Sequence, residues 1–143
     1  MRWDDYFAEI SKITAKKSKD PSTKVGCVLV KDNIIVSAGF NGFPRGIADT
    51  KQRLNDRVTK YGLVIHAEHN AVLNAARQGV SVLGTTLYTT FFPCKACALV
   101  LIQAGVTEVI EVQGMKSPTG NWEDSHIDAG ILFDEAGVIC RVL

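Results

Sequence analysis

The second half of the chain switches repeatedly between two hydrophobic periods, and this switching limits the fold more than any other feature. Ala67 to Gln78 has helical spacing and stops at Gly79. The β-branched run "TTLYTT" (Thr85–Thr90) follows, then a second helical stretch from Lys95 to Gln103 that stops near Gly105, then the strand-like "EVIEVQ" (Glu108–Gln113). Glycine just past a helix supplies the left-handed residue that ends it without a Cβ penalty. A last helix is expected from about Ser125 to Ala136 after the loop "GMKSPTGNWED", and "VICRVL" then reads as a strand. Strands that alternate with helices pair in parallel through crossover connections, with the helices packed on the sheet.

The first half reads differently. Tyr6, Phe7, Ile10 and Ile13 recur at helical spacing between Asp4 and about Lys17, with Asp4 and Asp5 favourable at the helix start. "VGCVLV" and "NIIVSAGF" are separated by Lys31 and Asp32 with Asn33 beside them, which predicts an antiparallel hairpin. "NGFPRG" is turn chemistry, and the polar stretch from Ile47 to Gly62 predicts a surface loop or a short helix. Together these elements give an α/β fold, a five-stranded mixed sheet with helices on both faces. No repeat or linker divides it, so residues 1–143 are expected to form one domain.

Composition narrows the function. The net charge of +1 lacks the basic face that long nucleic acids need, so no nucleic acid is expected as partner. No apolar run approaches the roughly 20 residues of a membrane span. "MRWDDYFAEISK" places acids where a signal peptide has basic and apolar regions, and a cytoplasmic location is the expectation. Four cysteines in such a setting are free thiols or metal ligands rather than a disulfide framework. Cys27 and Cys140 lie in strand-like runs and are expected to be buried small hydrophobes.

The other two cysteines, Cys94 and Cys97 in "FFPCKAC", stand at a helix start, as does His66 in "VIHAEHNA". One imidazole and two thiolates are ligands that Zn²⁺ prefers, and three protein ligands leave the fourth tetrahedral position open, as catalytic sites do. Uncapped amides and the helix dipole stabilise thiolates there. Glu68 is then free to accept a proton from water. The alternatives are a redox Cys-x-x-Cys pair, or a structural zinc site with Cys27 or Cys140 as fourth ligand. His69 and His126 lack comparable partners and are expected at the surface or behind the ligands.

His-x-Glu followed by Pro-Cys-x-x-Cys is the signature of zinc-dependent nucleobase deaminases. With "DPSTKVGCVLV", "GFNGFPRG", "HAEHNA", "FFPCKAC" and "DSHIDAGILFDEAGV" in order, the chain resembles the cytidine deaminase superfamily and, within it, the deoxycytidylate (dCMP) deaminase family. The resemblance implies a three-layer α/β/α fold and hydrolysis of dCMP to dUMP and ammonia. In that reaction His66, Cys94 and Cys97 hold zinc, and Glu68 moves protons between water, N3 and the leaving amino group. It implies that the Ala67 N–H binds the pyrimidine carbonyl, that Asn41 meets the sugar and that Lys24 meets the 5′-phosphate, with Arg45 and Lys95 in reserve. Phe40 stands where the family usually has tyrosine, and Trp122, near another usual tyrosine, can stack on base or sugar. Activation by dCTP, inhibition by dTTP with Mg²⁺ on the phosphates, and a homohexamer are also implied. Gly42, Phe43, Asn70, Asn74 and Arg77 are the candidate effector residues. The competing functions are deamination of tRNA adenosine, polynucleotide cytosine or free cytidine, and a zinc-binding regulatory module without activity.

Overall fold

The computed structural model describes residues 1–113 and 122–143, with no side-chain placement for Trp122 and Glu123. The elements, in chain order, are α1 (Trp3–Ala15), β1 (Gly26–Lys31), β2 (Ile34–Phe40), α2 (Lys51–Asn55), α3 (Arg57–Leu63) and α4 (Ala67–Gln78). They continue with β3 (Thr86–Thr89), α5 (Lys95–Ala104), β4 (Glu108–Glu111), α6 (Trp122–Glu135) and β5 (Ile139–Val142). The strands form one five-stranded sheet in the order β2-β1-β3-β4-β5. β1 pairs antiparallel with β2 and β3, while β3 with β4 and β4 with β5 are parallel, as crossover helices α5 and α6 require. Asp32 and Asn33, at φ 52° and 59°, make the two-residue hairpin turn that matches strand twist.

Helices cover both faces. On one, Cys27, Leu29, Leu87 and Val109 pack against Ala67, Ala71 and Ala75 of α4, Ala98 and Leu101 of α5, and Ala129 and Phe133 of α6. On the other, Val28, Val30, Tyr88 and Ile110 pack against Phe7 and Ala8 of α1. α1 departs from its expected stripe: Phe7, Ala8, Ser11 and Ala15 are buried, whereas Ile13 is 56% exposed. The reason is close approach. A Cβ on Gly26 would stand 2.2 Å from the Ala15 amide nitrogen, so only small residues fit where α1 crosses β1.

Three further expectations change. Ile47 to Gly62 holds two short helices, the first capped by the Thr50 side chain, which accepts from the Arg53 N–H. Cys140 is exposed, not buried: among the described residues β5 is an edge strand of the sheet, and all four of its residues are exposed. The last helix starts at Trp122, before the expected Ser125, and most of the expected loop lies outside the described residues. No helix among the described residues is long and apolar enough to cross a membrane.

Candidate metal centre and active site

His66 is the N-cap of α4 and Cys94 the N-cap of α5, and neither side chain turns back to cap its own helix. Both point instead to one spot. His66 Nδ1 lies 3.4 Å from Cys94 Sγ and 3.4 Å from Cys97 Sγ. Zinc bonds of roughly 2.0 Å to nitrogen and 2.3 Å to sulfur at tetrahedral angles separate N and S by about 3.5 Å, so the donor set fits such an ion. The cluster holds these three residues among those described. Cys27 is held apart, buried with its thiol 3.6 Å from the Gly39 carbonyl oxygen, and burial pushes that thiol up. Exposed Cys140 is not in the cluster either, so the cluster offers three candidate ligands among the described residues.

The electrostatics favour the thiolate form at Cys94. The hydrogen bond from Cys97 and the contact with His66 pull Cys94 down to about 4, and the same proton, held between the sulfurs, pushes Cys97 up. His66 is raised by its contact with Cys94. Glu68, 4% exposed, lies one residue into α4. Burial raises its carboxyl above the ordinary carboxylate value, against the lowering by its own N–H, by His66 and by Thr89. The Thr89 hydroxyl is 3.0 Å from Glu68 Oε1 and 2.9 Å from the Phe91 carbonyl oxygen.

A cavity of about 310 Å³ opens onto His66, Glu68 and Cys94, with Ala67, Phe91, Phe92 and His126 on its walls. That size suits a small-molecule ligand. Asn41 is on the wall, but its amide is engaged: Oδ1 accepts from the Val25 N–H at 2.9 Å, and Nδ2 donates to the Thr23 carbonyl oxygen at 2.9 Å. Lys24 is exposed and not part of the wall, although Thr23 and Val25 on either side are. The wall cations are Arg57 and Lys60. Lys60 is buried and paired with Asp20 at 3.3 Å, while Arg57 is exposed and sits 5.3 Å over the Tyr61 ring. Sequence reading missed Arg57, Lys60 and Tyr61 because their segment has no apolar period, and undervalued His126 because only α5–α6 packing brings it to the cavity. The Trp122 side chain lies outside the described residues.

The expected effector residues divide. Gly42 and Phe43 line a second cavity of about 350 Å³, with Lys17, Lys19, Phe40 and Arg45. Asn70 Nδ2 donates to the Phe40 carbonyl oxygen, and Asn74 Nδ2 to that of Ala38, each at 2.8 Å, so α4 is tied to β2. Asn74 Oδ1 also accepts from Arg45 at 2.9 Å. Gly42 and Ile65 exchange backbone hydrogen bonds at 3.1 and 2.8 Å, joining this turn to the residue before His66. Arg77, further along α4, is exposed and takes no part in these ties.

Comparison with known proteins agrees with this geometry. A family model for the cytidine and deoxycytidylate deaminase zinc-binding region matches residues 1–113. The chain is 44% identical over 121 residues to a probable deoxycytidylate deaminase of Drosophila melanogaster, covering 77% of this chain and 59% of that protein. It is 37% identical over 147 residues to the deoxycytidylate deaminase of Homo sapiens, covering 99% of this chain and 79% of that one. The apo crystal structure of dCMP deaminase from cyanophage S-TIM5 matches with a TM-score of 0.78 at 25% identity, over 98% of this chain and 96% of that one. With His66 and Glu68 at one helix start, Cys94 and Cys97 at another, and that match spanning both, the chain belongs to the cytidine and deoxycytidylate deaminase family.

Proposed function

We propose that the chain is a zinc-dependent deaminase that converts dCMP and water to dUMP and ammonia. The observation that carries this reading is the His66–Cys94–Cys97 cluster beside buried Glu68 at a cavity large enough for a small molecule. A zinc ion there supplies the Lewis acidity that makes water a nucleophile at neutral pH. Glu68 accepts one proton of the water that attacks C4 and passes it to N3, then carries the remaining proton of the new C4 hydroxyl to the amino nitrogen, which leaves as ammonia while the C4 carbonyl forms. Burial suits it to this task, because a raised carboxyl pKa makes the protonated form a usable intermediate carrier. Thr89 orients the carboxylate from 3.0 Å. The Ala67 N–H, at the first turn of α4, is an amide without an intrahelical partner and suits the pyrimidine carbonyl. Asn41 holds the 23–25 segment as the sugar-side wall, and Phe91 and Phe92 bound the base.

The 5′-phosphate falls to Arg57, the exposed cation on the wall, in preference to Lys24. Assay of dCMP, CMP, deoxycytidine and single-stranded DNA with the purified protein tests the substrate reading. Equal kcat/KM for dCMP and deoxycytidine would reject it. Arg57→Ala should raise KM for dCMP alone, and Lys24→Ala should have the smaller effect.

The second cavity supports triphosphate regulation, with dCTP activating and dTTP inhibiting in the presence of Mg²⁺. Lys17, Lys19 and Arg45 provide positive charge for phosphates, and Phe40 and Phe43 provide aromatic faces. Asp20, Asn41 and Lys60 line both cavities, and the ties from Asn70 and Asn74 lead to the helix that bears Glu68. Kinetics in dCMP that neither triphosphate alters would remove the regulatory part and leave the deaminase part standing.

A further inference from the structure

We propose that Ser125 and His126 are positioning residues for the metal ligand Cys94, and that they act as a clamp on the backbone to either side of it. The first amide of α5, Lys95 N–H, donates to Ser125 Oγ at 2.9 Å. The Pro93 carbonyl oxygen is 3.0 Å from His126 Nδ1. A carbonyl can only accept, so Nδ1 carries the proton in this contact. These two bonds fall on the two planar peptide units that flank the Cys94 Cα. Because peptide units are rigid, the relation between them is the pair of angles φ and ψ of Cys94, here −74° and 169°. Both units are gripped by adjacent residues of one helix. Once φ and ψ are held, a single side-chain torsion decides where the sulfur stands.

The clamp also answers a deficit that the metal site creates. Cys94 directs its side chain to the cluster and leaves the start of α5 without a cap of its own. Ser125 supplies an acceptor from the neighbouring helix in place of the missing one. The grip is firm because α6 is well anchored. Ala129 and Phe133 are fully buried, and the Phe133 ring meets Phe92 edge to face at 5.8 Å. The His126 ring meets Phe91 in the same way at 4.5 Å, so the clamp residue and the cavity wall are one packed unit. Partners that orient metal ligands in this manner typically account for ~10–100-fold in metal affinity or activity.

The inference rests on the zinc reading of the cluster, and the test separates the two. The full chain is loaded with zinc, and its release to a chromogenic chelator is timed. The visible spectrum of the cobalt-substituted protein, which reports ligand geometry, is recorded in parallel. The variants are S125A, H126F, which keeps a ring against Phe91 but has no donor, H126N, whose amide can stand in for Nδ1, and S125A/H126F. Release should quicken by about tenfold in S125A and in H126F, and further in the double variant, with altered cobalt bands. H126N should return towards the parent. Parent-like release and spectrum in S125A/H126F overturn the clamp. H126N releasing zinc as fast as H126F overturns the His126 half of it. Should the double variant fail to fold, S125A alone, which lacks one oxygen atom, decides the Ser125 half in the same assays. A parent protein that retains no stoichiometric zinc overturns the metal reading itself.

Discussion

Gly39→Ala should reduce turnover well beyond what the same loss of stability causes elsewhere in the molecule, because the added methyl collides with the helix that presents His66 and Glu68. A Cβ at this position of β2 would stand 2.3 Å from the Ala67 carbonyl oxygen and 2.5 Å from the Ala71 amide nitrogen. Both are backbone atoms and cannot rotate aside. An ordinary carbon contact needs about 3.5 Å, so the first turns of α4 must retreat by about 1 Å. Gly39 is outside the left-handed region, so the effect is steric and not conformational. Overpacking of this kind costs about 1–3 kcal/mol. Ala67 lies between His66 and Glu68, and a catalytic group displaced by about 1 Å can lose on the order of 10²-fold in rate. Gly26→Ala is the matched control: its Cβ would meet Ala15 N at 2.2 Å and Ser11 O at 2.4 Å, on α1, which bears no site residue. The assay follows the absorbance change from cytosine to uracil for kcat and urea denaturation for stability. Gly39→Ala with kcat within about twofold of the parent, or the same loss of kcat in both variants well below their melting points, would refute the reasoning.

Three other substitutions probe different parts of the molecule. Glu68→Gln should retain one metal ion per chain, by elemental analysis, and lose ~10²–10⁴-fold in kcat, since the amide cannot accept a proton. Lys60→Met removes one partner of a buried pair, 6% and 8% exposed, and should lower stability by about 3 kcal/mol in urea denaturation, with part recovered on adding Asp20→Asn. Tyr88→Phe removes the 2.6 Å hydrogen bond to Asp4 and should cost about 1–2 kcal/mol at neutral pH. That bond, followed by Arg141, holds the Asp4 carboxyl below its ordinary value. The stability it confers is present above pH about 4 and lost as pH falls through the lowered value, so the variant should show a shallower acid decline in melts below that pH.

Periodic and stop-coded elements were legible in the chain. α4 and α5 run to Gln78 and Ala104 because Gly79 and Gly105 take the left-handed cap that the spacing predicts. The grouping of His66, Cys94 and Cys97 was legible because residue types at those intervals are chemistry in themselves. What escaped were contacts decided by tertiary packing. Apolar spacing in α1 indicated Ile13, but the close crossing at Gly26 selects small side chains and leaves Ile13 outside. Lys60 lies in a polar stretch that shows no apolar period, and only the fold supplies Asp20, 40 residues earlier, as its buried partner. Cys140 has the neighbours of a core strand and the position of an edge one.

The missing caps of α4 and α5 set local stability against function. Each helix start concentrates roughly half a positive charge, and the residue best placed to answer it is Ser, Thr, Asp or Asn at the N-cap. Histidine and cysteine occupy those places, and their side chains converge on a single point. The ends of two dipoles of the same sign therefore face one another across the cluster. Selection for a sturdy helix start alone would favour serine or aspartate at positions 66 and 94, and with them a quieter protein without the centre. The local frustration is resolved by negative charge arriving from outside the ordinary capping repertoire: sulfur in its ionised form, next to a carboxyl group that can gain and lose a proton. The same unsatisfied field that weakens the two helix starts is what draws anionic chemistry to the floor of the cavity.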